Sequence, residues 1–377
     1  MERSLRTAHA SPVSIGGACF VERWWQACGL LLIALLAGCR SGSEEGAPAL
    51  RLSGAAMGTR WSAILVPGDR KLPGEEDLQA RIAAILESVE GPLSTWRADS
   101  EISRFNRLGP GESLAVGAEF LRCLDVSERV YVASGGAFDP TVGPLVQAYG
   151  FETGELDVEL PAVDELAVLR ARVGWRRWLG NAGDLSSPLV QVDPGVELDL
   201  SAVAKGRGVD AVHAGLMDLE LAGLFFELGG EVRVMGASPR GDRWRVGVER
   251  PAEDSTAPRV LELPIELSDS AVATSGFGRN QRRVNGVWVA HTFDPRSGQP
   301  ARRRVGSATV LAPATDLADA LATALCVLSP DEALAVIEGL EGVEAVLLLP
   351  GESVAWLPRW TSGLTRSAAG PLRLADE

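Results

Sequence analysis

Val196-Glu197-Leu198-Asp199-Leu200-Ser201-Ala202-Val203-Ala204-Lys205-Gly206 carries two patterns in succession. Apolar and acidic residues alternate from 196 to 200, which is the period of a half-buried strand. After Ser201 small residues lead to Val209, Val212 and Leu216 at helical spacing, so the stretch predicts a strand running into a helix. Lys205 then falls in the first turn of that helix, where backbone N–H groups attract anions. Only Lys71 shares its residue type among 36 basic residues, which singles the position out.

The same alternation of strand and helix continues on both sides. Upstream, Thr59, Trp61, Ala63 and Leu65 read as a strand, and Leu78, Ile82, Ile85, Leu86 and Val89 as one face of a helix that Gly91-Pro92 should stop. Further helices are predicted over 118–133 and 163–172. Downstream come short strands between Leu224 and Val248, strands over 260–267, 287–293 and 305–311, helices over 317–328 and 331–340, and a strand over 343–349. There is no internal repeat and no G-x-G-x-x-G fingerprint, so a dinucleotide would not be held in Rossmann fashion. The expected fold class is α/β (α+β), a mixed-sheet core with helices on its faces.

Composition narrows the function. The 377 residues are 46% hydrophobic and 23% charged, with 42 Gly, a globular profile. A formal charge of −14 and the absence of a Lys/Arg run argue against nucleic acid as a partner. Three His and five Cys are too few for a multi-His metal site or a disulfide framework. Cys123 and Cys326 sit in apolar helical patterns, where Cys acts as a small hydrophobe.

The beginning of the chain differs from the rest. An apolar run from Leu30 to Leu36 follows Arg23 and ends in Ala37-Gly38-Cys39, the pattern of a secretory signal and too short to favour a permanent span. Leu36-Ala37-Gly38-Cys39 resembles a bacterial lipobox, which makes Cys39 the expected lipidated residue of the mature chain; an ordinary signal with an incidental Cys is the alternative. The 20 residues before Val21 do not resemble a signal's basic leader, so translation is expected to start near Val21. The expected division is a signal over 1–38, the lipidated Cys and a polar tether over 39–50, and a catalytic domain over 51–365. The location implied is the periplasmic side of a bacterial membrane.

Small and polar residues interrupt these elements in a set of blocks: Met57-Gly58-Thr59, Ser94-Thr95-Trp96 with Ser100 to Asn106, Gly136 to Leu145, Asp199 to Gly206, and Glu227-Leu228-Gly229-Gly230-Glu231. Ala273-Thr274-Ser275-Gly276, His291-Thr292-Phe293-Asp294-Pro295-Arg296-Ser297-Gly298 and Asp316 to Thr323 complete them. The glycines at 229 and 230 read as a place where the backbone approaches a neighbour closely. In this order the blocks resemble the ApbE family of FAD:protein FMN transferases, over most of the chain from Met57 to Thr323. The resemblance implies an enzyme that binds FAD and Mg²⁺, transfers FMN to a Thr or Ser hydroxyl of a membrane flavoprotein subunit, and releases AMP. An FAD pyrophosphatase, with water as acceptor, and a flavin-binding lipoprotein without catalysis are the rival readings. Acceptors of the family carry D-x-x-[ST]-G-A-T, which this chain lacks, so self-flavinylation is not expected.

Pyrophosphate cleavage needs charge neutralisation on phosphate oxygens and a destination for the acceptor's proton. Asp319 and Thr323, four apart on a predicted helix, share a face and offer a carboxylate and a hydroxyl, hard ligands of the kind Mg²⁺ prefers; a helix-start carboxylate complementing the dipole would look the same. The resemblance makes both metal ligands, together with main-chain oxygens of Ala202 and Ala322. It assigns FAD contacts to Met57, Trp96, Ala137, Phe138, Asp139, Asp199 and Lys205. Taken alone, Lys205 could be a surface lysine, Asp199 a helix cap and Asp139 a turn residue. Trp96 stands where several family members have Tyr, which keeps a stacking face and changes the polar handle. His291 reads equally as a general base or as a strand His satisfied by a turn; the resemblance makes it catalytic. Asp294, Pro295 and Gly298 are expected to shape the turn presenting it, with Asp294 a candidate to orient the imidazole.

Overall fold

The computed structural model describes residues 48–151, 157–158, 162–182, 185, 188–191, 193, 195–251, 258–278, 281–284, 287–351, 356–366 and 370–375. The expected signal, Cys39 and the tether up to residue 47 lie outside the described residues.

Among the described residues one eight-stranded sheet organises the chain. Its strands are Leu50–Ala56, Thr59–Val66, Gly223–Leu228, Glu231–Gly236, Ala271–Gly276, Ser307–Ala312, Glu344–Pro350 and Trp356–Trp360, and their order across the sheet is their order along the chain. All neighbours pair antiparallel. The α+β class is as expected, but parallel pairing is confined to short ladders outside this sheet, at Arg283 with Asp157 and at Leu372 with Ile265.

Alternation decides what each face buries. Trp61, Ala63 and Leu65 point one way and pack with Leu78, Ile82 and Leu86 of the Glu75–Leu93 helix and with Val209 and Val212 of the Ser201–Gly215 helix. Ala273, Ala308 and Val310 extend this face beneath the Thr315–Val327 helix, alongside the Ala118–Ala133 helix. The opposite face carries Val66, Val232, Val234, Val272, Val346 and Leu348 against Trp244, Leu263, Ile265 and Leu372 of a second sheet. Helices therefore cover one face and strands the other. The second sheet runs to Leu374, past the expected domain end at 365, because Leu372 is fully buried in it.

Two expectations fail for clear reasons. Residues 196–200 form no ladder: the Asn106 side chain acts as the neighbouring strand, its Nδ2 donating to Leu198 O and its Oδ1 accepting from Leu198 N, each at 2.8 Å. Val196, Leu198 and Leu200 are still buried on one side, which is why the stretch alternates. The helix from Glu75 also continues through Gly91-Pro92 to Leu93. Proline there leaves only the carbonyl of exposed Ser88 without its helical donor, and burial of Leu93 completes the apolar face begun by Leu78.

Candidate active site

Two helices and one hairpin build the centre. Gly206 lets the Ser201–Gly215 and Thr315–Val327 helices touch: a Cβ there would lie 2.7 Å from Asp316 Cα and closer still to the Thr315 carbonyl oxygen. Asp210, one turn on, fixes the start of the second helix by accepting from the backbone N–H groups of Thr315 (2.8 Å) and Asp316 (3.0 Å). Arg233 pairs with Asp210 from the neighbouring strand. With both contacts made, Asp319 faces Lys205.

Lys205 Nζ lies 2.7 Å from Glu231 Oε1 and 3.4 Å from Asp319 Oδ2, which also accepts from Gly206 N at 3.1 Å. Lys205 sits in the second turn of its helix, not in the first turn after a strand. Burial opposes the ammonium, yet Asp319 and Glu231 together hold it charged, above the ordinary lysine range. Burial likewise pushes the Asp319 carboxyl up to about 7, against the pull of Lys205. Thr323 is one turn beyond Asp319, and its hydroxyl meets Ser275 Oγ at 3.1 Å. Glu231 and Ser275 belong to quoted blocks but had been given no role.

The glycines before Glu231 act mainly through their turn. Gly229 and Gly230 have φ of 67° and 116°, closing a two-residue hairpin that starts the strand at Glu231. A close approach is also present at Gly229, where a Cβ would come 2.8 Å from Thr59 Cγ2.

This donor set suits a hard divalent cation. The site offers the Asp319 carboxylate and the Thr323 and Ser275 hydroxyls, while Glu231 Oε2 is buried without a hydrogen-bond partner. Gly206 N, the donor that the helical ladder assigns to the Ala202 carbonyl, also donates to Asp319 Oδ2. Among the described residues no group of three or more His, Cys, Asp and Glu could hold a metal, so a metal here depends on hydroxyl and main-chain oxygens. Ala322 is fully buried and Ala202 half-buried on the two facing helices.

The other expected residues fall into three groups. Met57 occupies the turn between the first two strands with φ of 50°, a backbone conformation few non-glycine residues adopt, and its N–H donates to Glu90 Oε2 at 2.8 Å. Its sulfur lies over Gly208, 3.0 Å from where a Cβ would stand, so it packs on the helix that carries Lys205.

In a second group, Asp199 lines a cleft of about 150 Å³ together with Thr95, Ser103, Asn106, Gly143 and Gln147. Trp96 follows Thr95 and is 79% exposed, an apolar face open to a planar ligand. Asp199 N donates to Pro140 O at 2.7 Å and its Oδ1 accepts from Ser201 N at 2.9 Å, so it does serve as a helix-start acceptor. Ala137 and Phe138 have core side chains, which leaves only backbone for a ligand. Asp139 is buried and accepts from Thr141 N (2.8 Å), Thr141 Oγ1 (2.6 Å) and Trp175 N (3.3 Å). Its carboxyl is raised by that burial, with the Thr141 bonds acting the other way. Asp139 thus organises its own loop.

His291 forms the third group. The strand predicted over 287–293 breaks there, into Val287–Ala290 and Phe293–Asp294, and presents the half-buried imidazole edge-on to Phe151 at 6.2 Å. Phe293 packs on both Phe151 and Tyr149, anchoring the segment. Asp294 does shape the turn: its carbonyl accepts from Gly298 N at 2.8 Å, and Gly298 has φ of 69°. Its carboxylate, however, takes Arg296 Nε at 2.9 Å and Nη2 at 3.2 Å, so Arg296 is the partner seen for it instead of the imidazole.

Comparison with known proteins finds relatives over most of the chain. A family model described as "ApbE family" matches residues 57–347. An FAD:protein FMN transferase of Vibrio cholerae is 37% identical over 320 residues, 84% of this chain and 91% of that protein. One from Haemophilus influenzae is 34% identical, over 82% and 89%. The solved flavin transferase ApbE of Vibrio cholerae superposes with a TM-score of 0.73 at 33% identity, covering 84% of this chain and 98% of that one. The apo flavinyl transferase ApbE of Pseudomonas stutzeri gives 0.73 at 29% identity, over 84% and 96%. With the family model spanning most of the folded residues and relatives above 30% identity covered nearly end to end, the chain belongs to the ApbE family.

Proposed function

We propose that this protein transfers FMN from FAD to a Thr or Ser hydroxyl of a target flavoprotein. The pyrophosphate P–O bond of FAD breaks, a phosphoester P–O bond to the acceptor oxygen forms, and AMP leaves. The observation that carries this reading is the Lys205–Asp319–Glu231 cluster, its two carboxylates buried, with the Thr323 hydroxyl one helical turn beyond Asp319 and Ser275 beside it, in a chain similar to named FAD:protein FMN transferases over 84% of its length.

Asp319 and Thr323, with main-chain oxygens of Ala202 and Ala322, are the residues that would hold Mg²⁺. Bound there, the ion would neutralise charge on the pyrophosphate oxygens. Lys205 adds a second positive charge from the facing helix. Trp96, Met57 and the cleft at Asp199 accommodate the planar and ribityl parts of FAD. His291 takes the proton of the acceptor hydroxyl.

The acceptors are subunits of membrane electron-transfer flavoproteins with a D-x-x-[ST]-G-A-T pattern. The lipobox-like Leu36-Ala37-Gly38-Cys39 supports anchoring at Cys39 on the periplasmic side of a bacterial membrane. No helix among the described residues is long and apolar enough to cross a membrane.

Asp319→Ala tests the assignment. The variant is expected to lose Mg²⁺-stimulated AMP release from FAD, and its urea midpoint should fall because Gly206 N and Lys205 also lose a partner; Asp319→Asn, which keeps an acceptor oxygen for Gly206 N, should fold with the same loss of activity. Full activity at limiting Mg²⁺ would refute the metal site.

A further inference from the structure

Glu231 has no part in the reaction as described, yet its placement is costly. It is 3% exposed, and only one of its oxygens is used: Oε1 takes Lys205 Nζ at 2.7 Å, while Oε2 is buried with no hydrogen-bond partner. Fastening the strand to the helix does not require it. Arg233, two residues along and on the same face, already pairs with Asp210 of that helix, and Val232 and Val234 anchor the other face.

The distances suggest what the carboxylate does. Lys205 has two buried counter-charges and stands nearer to Glu231 (2.7 Å) than to Asp319 (3.4 and 3.5 Å). A cation that binds Asp319 must compete with the ammonium already there. Lys205 is half-buried, so moving its ammonium off Asp319 is easier when another buried carboxylate stands ready to receive it, and Glu231 is that carboxylate.

We propose that Glu231 is a positioning residue that holds the Lys205 ammonium to one side, leaving the Asp319 carboxylate available to a divalent cation. This rests on the reading of Asp319 as a metal ligand. Glu231 itself is not a ligand here: it acts through Lys205.

The test is Mn²⁺ binding to the full chain, followed by electron paramagnetic resonance of free Mn²⁺ without FAD. Wild type should bind and Asp319→Asn should not. Glu231→Gln, isosteric but uncharged, should bind about tenfold more weakly, because the ammonium then rests on Asp319 alone. Adding Lys205→Met to Glu231→Gln should restore binding to at least the wild-type level, since the competitor is gone. If Glu231→Gln does not fold, Glu231→Asp, which keeps the charge one methylene short of Lys205, should show an intermediate loss.

Unchanged Mn²⁺ affinity in Glu231→Gln, or in Glu231→Asp where that is the variant used, would overturn the proposal while leaving the metal site standing. A double variant as weak as Glu231→Gln would also overturn it, making Glu231 a direct ligand. Absence of binding by wild type, or wild-type binding by Asp319→Asn, would remove the metal reading and this proposal together.

Discussion

Replacing Gly206 by Ala should separate the two helices that form the site. The new Cβ would stand 2.7 Å from Asp316 Cα and closer to the Thr315 carbonyl oxygen, both rigid backbone atoms. Ordinary contact is about 3.5–4 Å, so the helices must part by about 1 Å. Overpacking of this kind costs about 1–3 kcal/mol. Parting also stretches the 3.1 Å bond from Gly206 N to Asp319 Oδ2, and a buried carboxylate that loses a donor adds about 1–3 kcal/mol. Against this, Ala gains about 1 kcal/mol of helix propensity over Gly. The net is a destabilisation of about 1–5 kcal/mol, read as a lower urea midpoint at unchanged slope. Gly208→Ala is the internal control. Its Cβ would meet only side-chain ends, Met57 Sδ at 3.0 Å and Leu228 and Leu86 Cδ2 at 3.3 Å, which can yield, so its loss should stay below about 1 kcal/mol. Equal midpoints for Gly206→Ala and wild type, or a larger loss at Gly208, would show that close helix contact does not build this site.

Three further outcomes are expected. His291→Ala should lower FMN transfer about 10²–10⁴-fold with little change in FAD affinity, and recover partly as pH rises; lost affinity with unchanged turnover would make His291 a binding residue. Glu266 is held below the ordinary carboxylate range: burial works against this, but hydrogen bonds from Arg373 and Arg245 prevail. Its stabilisation is therefore present above the ordinary value of 4.5 and lost as pH falls through the lower folded value, so the urea midpoint of Glu266→Gln should fall less steeply in acid than that of wild type; parallel acid limbs would contradict this. Cys123 and Cys326 are buried, their thiols driven up, Cys326 to about 12, so in the chain from Ser41 onward neither should react with a thiol reagent at pH 8 until urea is added; rapid labelling of the native protein would show the helix that carries the labelled thiol to be loosely packed.

Much of this was readable because local pattern and tertiary burial agree. Leu78, Ile82, Leu86 and Val89 announce their helix by spacing, and Trp61, Ala63 and Leu65 their strand, since each set faces the same interior. The spacing of Asp319 and Thr323 put them one turn apart on one helix face for the same reason, while their reading as ligands came from the resemblance alone. The failures share a different cause. Residues 196–200 alternate as a strand does, but a single side chain, Asn106, replaces the ladder, and nothing within five residues encodes a partner 92 positions away. Asp294 was a candidate to orient the imidazole, but the partner of its carboxylate, Arg296, lies two residues along the chain, so loop geometry accounts for that bonding. Glu231 and Ser275 escaped assignment because their importance is relational. It appears only when a hairpin brings one to Lys205 and a strand brings the other to Thr323, although a charged residue directly after Gly229-Gly230 was the available signal.

The central claim is a transfer, and the measurement that bears on it most directly is the mass of the acceptor. The chain from Ser41 onward would be incubated with FAD, Mg²⁺ and a flavoprotein subunit carrying the D-x-x-[ST]-G-A-T pattern, and both acceptor and nucleotides analysed by mass spectrometry. The account predicts an acceptor heavier by one covalently bound FMN at its Thr or Ser, with one AMP released for each acceptor modified. FMN and AMP appearing together beside an unmodified acceptor would contradict it, since water would then be receiving the flavin phosphate in place of the protein hydroxyl.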